Sequence, residues 1–143
     1  MDRAAAKIKI NSYIDSLDTN GLAEGTPEVT EADLSGFVEE GADVIAISCS
    51  EKNEGGEVSS TVEISSGEVT VKRRGAIESV MFFSKEIPYK TVYNLPPYSF
   101  DMEIVTKKIE ISEREGTLSL LLIYKMTVGG ADRLCRMSIE AKF

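Results

Sequence analysis

Glu57-Val58-Ser59-Ser60-Thr61-Val62-Glu63-Ile64-Ser65-Ser66-Gly67-Glu68-Val69-Thr70-Val71-Lys72-Arg73-Arg74-Gly75 is the stretch on which the fold turns. Val58, Ser60, Val62 and Ile64 share one parity, while Ser59, Thr61, Glu63 and Ser65 take the other. Beyond Ser66-Gly67 the alternation resumes, with Val69, Val71 and Arg73 set against Glu68, Thr70, Lys72 and Arg74. Period-two patterning on both sides of a Ser-Gly pair predicts an antiparallel hairpin with one buried and one solvated face. With Ser66-Gly67 as the two-residue turn, Ile64 faces Val69, Val62 faces Val71 and Ser60 faces Arg73. An arginine therefore lies on the face otherwise built from valines.

Working outward, the same period recurs along almost the whole chain. Upstream, Val44 to Glu51 reads as a strand with Lys52-Asn53-Glu54-Gly55-Gly56 as its exit turn. A less regular strand runs from Val29 to Val38, with Gly36 marking a bulge or bend. Leu17 to Thr26, holding Asn20-Gly21 and Gly25 ahead of Pro27, is a loop or long hairpin connection. The first strand sets Ile8, Ile10, Ser12 and Ile14 against Lys7, Lys9, Asn11 and Tyr13.

Downstream, Ile77 to Phe83 is a strand, and Pro88 to Tyr98 is an aromatic, proline-punctuated edge or loop, because Pro96 and Pro97 cannot both sit in a central ladder. Phe100, Met102, Ile104 and Thr106 share a face, and the switch of apolar parity to Ile109 and Ile111 predicts a bulge near Lys107-Lys108. Leu118, Leu120, Leu122, Tyr124 and Met126 form one face of the longest strand. After Gly129-Gly130, Cys135, Met137, Ile139, Ala141 and Phe143 form one face of the last. Eight to ten alternating strands with hairpin-length links and no amphipathic helix predict an all-β protein, a single antiparallel domain over residues 1–143. Closure into an up-and-down β-barrel removes exposed edges, whereas a sandwich needs longer crossovers.

Thr61-Val62-Glu63-Ile64, Gly67 to Gly75 and Phe82 resemble the core pattern of the bacterial YwiB-like family, a domain of unknown function. Ser48-Cys49-Ser50-Glu51, Thr106-Lys107-Lys108-Ile109, Gly116-Thr117-Leu118 and Tyr124 fit the strands around it, so that the similarity spans Ile8 to the C-terminus. Cys49 stands where an aromatic is more usual, and Tyr98-Ser99-Phe100 lacks a glycine often present there. The resemblance implies a calycin-type, lipocalin-like barrel and brings no established activity.

Composition narrows the function classes. The chain has 143 residues, 42% hydrophobic and 28% charged, which is ordinary for a globular protein. Its acidic balance, 16 Lys and Arg against 24 Asp and Glu for a formal charge of −8, argues against nucleic acid or an anionic membrane as partner. The N-terminus, Met1-Asp2-Arg3-Ala4-Ala5-Ala6-Lys7, carries no secretory apolar run, so a cytoplasmic location is expected. Cys49 and Cys135 match neither a disulfide framework nor a zinc spacing and are expected to be buried free thiols. Histidine is absent, which removes the commonest general base and metal ligand; acid–base work would fall to carboxylates or lysines alone, so an enzyme is a distant third reading, and no metal site or cofactor is expected. Oligomeric state is left open.

One constellation follows from register. Placing Glu51 opposite Val58 sets Cys49 opposite Ser60, and Ser60 opposite Arg73, so that all four polar residues share the inner face at one barrel end. Arg73 is then expected to be substantially buried and to reach across Ser60 toward Glu51, since alternate strands lie ~9–10 Å apart. Either Arg73, Glu51, Ser60, Cys49 and Tyr124 form a structural ion-pair network, or Arg73 holds the carboxylate or phosphate of a small ligand. Tyr89, Tyr93 and Tyr98 either line a mouth for an apolar ligand or pack beneath a loop. Two functions follow: a barrel that binds a small, anionic or partly apolar molecule, or a structural or protein-interaction module filled by its own side chains. Bulky Val58, Val62, Ile64, Val69, Val71, Leu118, Leu120 and Leu122 favour filling, and a cavity of several hundred cubic ångströms beside Arg73 favours binding.

Overall fold

The structure, a computed structural model, describes residues 2–95 and 97–143. Among these residues there are ten strands and no helix: β1 (Asp2–Leu17), β2 (Ala23–Glu40), β3 (Ile45–Asn53), β4 (Gly56–Ser65), β5 (Glu68–Gly75), β6 (Ser79–Phe83), β7 (Tyr89–Leu95), β8 (Tyr98–Arg114), β9 (Thr117–Val128) and β10 (Ala131–Lys142). The central hairpin is β4–β5, with Ile64 opposite Val69, Val62 opposite Val71 and Ser60 opposite Arg73. Ser66 and Gly67 both take positive φ, 52° and 77°, the left-handed pair that a two-residue turn of primed type requires. The predicted bulge in β8 is present between Thr106 and Lys108.

All ten strands join one antiparallel sheet in the order β6-β5-β4-β3-β2-β1-β10-β9-β8-β7. Sequential neighbours pair everywhere except β6 with β7, and β1 meets β10 from Lys7–Lys142 to Ser16–Arg133. The order is thus an up-and-down meander curled until its ends meet, a nearly closed ten-stranded barrel consistent with the calycin-like architecture. Its seam lies between β6 and β7, where Glu78 and Asn94 exchange two backbone hydrogen bonds of 3.3 Å. Phe82 and Tyr89 close the seam further, edge to face with centroids 5.8 Å apart. Pro97 lies in the link from β7 to β8, as expected; Pro96 is outside the described residues. No helix is long and apolar enough to cross a membrane.

The strands run longer than their sequence pattern. β2 begins at Ala23, shortening the expected loop, and β3 continues to Asn53. Gly36 is not a bulge: the ladder to β1 runs through it in register, with Ala6 opposite, while the ladder to β3 ends there at Cys49. Its role is close approach, because a Cβ there would collide with the Ser48 carbonyl and the Ile8 side chain. Gly36→Ala is expected to destabilise the fold by about 1–3 kcal/mol through overpacking, measured by urea denaturation.

Links after β1, β3, β5, β7 and β9 gather at one end of the barrel, and those after β2, β4, β6 and β8 at the other. At the second end the inner face is dry and apolar: Ile8, Val38, Val69, Phe83, Leu118 and Ala141 are all essentially inaccessible. The first end is open. There β2 outruns β3, pairing with it only over Gly36–Glu40, so the two strands diverge above Gly36 and Cys49. Inner-face positions near this end, Glu28, Thr30, Glu51 and Phe100, meet solvent. The inner face thus grades from an apolar plug to a polar mouth.

Candidate functional site at the open end

Register assembles the site. Cys49 on β3 lies opposite Ser60 on β4, Ser60 opposite Arg73 on β5, and Arg73 opposite Ser79 on β6. A second row crosses the other side of the barrel, with Thr106 on β8 opposite Tyr124 on β9, and Tyr124 opposite Cys135 on β10. Cys49, Ser79, Thr106, Tyr124 and Cys135 are buried, while Ser60 and Arg73 are half-buried. Ser79 Oγ and Thr106 Oγ1 are buried without a hydrogen-bond partner.

The expected pairing of Arg73 with Glu51 is not present. Glu51 does lie opposite Val58, as the register required, but its side chain is exposed. Among the described residues Arg73 has no carboxylate oxygen within 4.0 Å and is only half-buried. The reason is the open end. Glu51 lies one inner-face position beyond Cys49, toward the rim, where it is exposed to water, and bringing it inside would cost more desolvation than a half-exposed arginine returns. Of the five expected site residues, Arg73, Ser60, Cys49 and Tyr124 share the interior at this end and Glu51 marks its rim. Ser79 and Thr106 escaped notice because each is a lone hydroxyl in an apolar alternation. Parity was the one signal that could have found them.

Electrostatics tie the two rows together. Burial pushes the Tyr124 hydroxyl above its ordinary range, adjacent Cys135 adds to the rise, and the Arg73 charge opposes it. Burial likewise raises the Cys49 thiol, the Glu51 carboxylate raises it further, and Arg73 pulls it down. Arg73 is therefore within electrostatic reach of both rows. Cys135 is pushed up to about 11, chiefly by burial, with Tyr124 and Arg133 lowering it and Glu28 raising it. Both thiols are free and buried. Among the described residues no three Cys, Asp or Glu side chains converge on a metal position.

Cys135 has a measurable consequence. Its folded pKa exceeds the ordinary value of 9.0, so its stabilising contribution is complete below about pH 9 and is lost as pH rises toward about 11. Urea midpoints are expected to fall over that window, and to fall less in Cys135→Ala. In the native protein near pH 8, both thiols are expected to react with a thiol reagent only as fast as the barrel opens.

A groove of about 410 Å³ lies beside Arg73 across the β6–β7 seam. Inner-face Arg73, Ser79 and Thr91 line it together with outer-face Glu78, Val92 and Asn94. Tyr89 and Tyr93 pack against the core, whereas Tyr98 is exposed and stacks on Phe100 at 6.4 Å.

Comparison with known proteins bears on this geometry. The family described as Domain of unknown function (DUF1934) matches residues 14–139. The chain belongs to that family. The DUF1934 domain described here also superposes on the crystal structure of the ywiB protein from Bacillus subtilis, with a TM-score of 0.83 and 24% sequence identity. The match covers 98% of this chain and 92% of that one, and it is a likeness of fold. The DUF1934 domain is thus a YwiB-like barrel, as its central hairpin suggested. No curated protein matches it.

Proposed function

We propose that this DUF1934 domain binds a small anionic molecule at the open end of its barrel, with Arg73 as the anchor. One observation carries this: a half-buried guanidinium on the inner face with no carboxylate within 4.0 Å among the described residues, next to a buried Ser79 hydroxyl that finds no hydrogen-bond partner among them. A guanidinium keeps its charge when desolvated, and its planar fork matches a carboxylate or phosphate in two parallel hydrogen bonds. Ser79 and Thr106 offer hydroxyls that a ligand oxygen would satisfy, and Tyr124 lies within reach of the same charge. The protein's net charge of −8 opposes anions at long range, and this repulsion is expected to ease as added salt shortens the screening length to about 8 Å near ~0.15 M.

The test is calorimetric titration with inorganic phosphate and small carboxylates, on the wild type and on Arg73→Met. Saturable binding that the substitution removes supports the site. The second function, a structural or interaction module, is favoured by the apolar end, where Phe83, Val69 and Ala141 have no accessible surface. Absence of any saturable heat would leave that one standing.

A further inference from the structure

We infer that Arg133 on β10 is a second anion-binding residue of the same open end, and that the ligand carries an anionic group at each of two ends, as a small dicarboxylate does. This rests on the binding site proposed for Arg73 and adds to it a residue and a ligand class.

Arg133 precedes Cys135 by two residues and shares its inner-face parity, lying opposite Met126 on β9 and Ser16 on β1. Like Arg73 it is half-buried and, among the described residues, has no carboxylate oxygen within 4.0 Å. The remaining arginines differ: Arg3 is exposed, lies 3.7 Å from Glu39 and stacks on Phe37, and Arg74, Arg114 and Arg136 are exposed. Half-burial without a counter-charge thus singles out two arginines, and both fall on the inner face of one end. In the sheet order, β5 and β10 stand five strands apart in either direction around the barrel. The two guanidiniums therefore come from opposite walls. Tyr124 and Cys135, opposite one another on β9 and β10, feel Arg73 and Arg133 respectively.

Opposed cations repel one another, and each gives up part of its hydration with no carboxylate within 4.0 Å among the described residues in return. One monoanion matches one of them. A molecule with two separated negative groups matches both, and its length is set by the span between walls rather than by either arginine alone. Glu28, cross-strand from Ile14 and so on the row of Cys135, and Glu51 are exposed acidic groups on the same inner face, and a bound anion must outcompete them for the arginines.

The experiment is calorimetric titration of the full chain with succinate, propionate and inorganic phosphate, for the wild type, Arg73→Gln, Arg133→Gln and Arg133→Lys. Succinate is expected to bind the wild type about 10- to 100-fold tighter than propionate, the worth of one further charge-assisted contact. Arg133→Gln should bring succinate down to the level of propionate; Arg133→Lys should restore part of the difference. Arg73→Gln should weaken all three. Equal succinate affinity in wild type and Arg133→Gln, with phosphate binding still lost in Arg73→Gln, overturns the second anchor and leaves the first intact. No binding of any probe by the wild type overturns the site itself. Should Arg133→Gln fail to fold, the wild type answers the question: the Nε–Hε resonances of both arginines must shift along one saturation curve with succinate, and a shift at Arg73 alone refutes the inference.

Discussion

Phe83→Ala is expected to destabilise the barrel by about 3–5 kcal/mol, the largest loss any single truncation here should produce. Phe83 has no accessible surface, sits opposite Val69 on β5, and meets the Tyr124 ring edge to face at 4.7 Å. Truncation removes its buried area and leaves a cavity that rigid strands on either side cannot close. A second loss adds to it, because the Tyr124 ring gives up its aromatic partner, worth about 0.5–1.5 kcal/mol beyond area. Urea denaturation should show a lower midpoint with an unchanged slope. A loss below about 1 kcal/mol would mean that the interior is loosely filled and collapses readily around the deletion.

Arg73→Met should do the opposite for folding while removing binding. Methionine keeps the length and the apolar stem, and it discards a half-buried charge with no carboxylate within 4.0 Å among the described residues, so stability is expected to rise by about 1 kcal/mol. Loss of two parallel charge-assisted hydrogen bonds should weaken anion binding by at least ~100-fold. This pairing of signs separates a ligand anchor from a structural ion pair. Had Arg73 been held by Glu51, the same substitution would strand a carboxylate and cost about 3–5 kcal/mol.

The hairpin and its neighbours were legible because period-two alternation and a two-residue turn together leave no freedom of register. Ser66-Gly67 placed Arg73 opposite Ser60, and the same logic placed Cys49 opposite Ser60 and Glu51 opposite Val58, all as found. The bulge at Thr106–Lys108 was legible for the same reason, since the apolar face changes parity there. Gly36 shows the limit of pattern reading. A glycine in a strand signals either a bulge or close packing, and only the tertiary neighbours Ile8 and Ser48 decide between them.

Closure of β1 on β10 joins the two ends of the chain, which no local pattern encodes. The failure of the Arg73–Glu51 pair has the same origin. Register places two residues on one face, but whether they meet depends on how far the rim is open to water, and that follows from the divergence of β2 and β3. Sequence alone marks Arg133 only as a neighbour of Cys135, two residues away. Its significance appears once β5 and β10 are known to face each other across the barrel.

The most direct measurement is a crystal structure of the wild-type protein grown in succinate or phosphate. The expected result is an anion at the open end with an oxygen within about 3 Å of the Arg73 guanidinium and of Ser79 Oγ. A guanidinium folded onto Glu51, or turned outward beside Lys72 and Arg74 with no anion in the barrel, would contradict it.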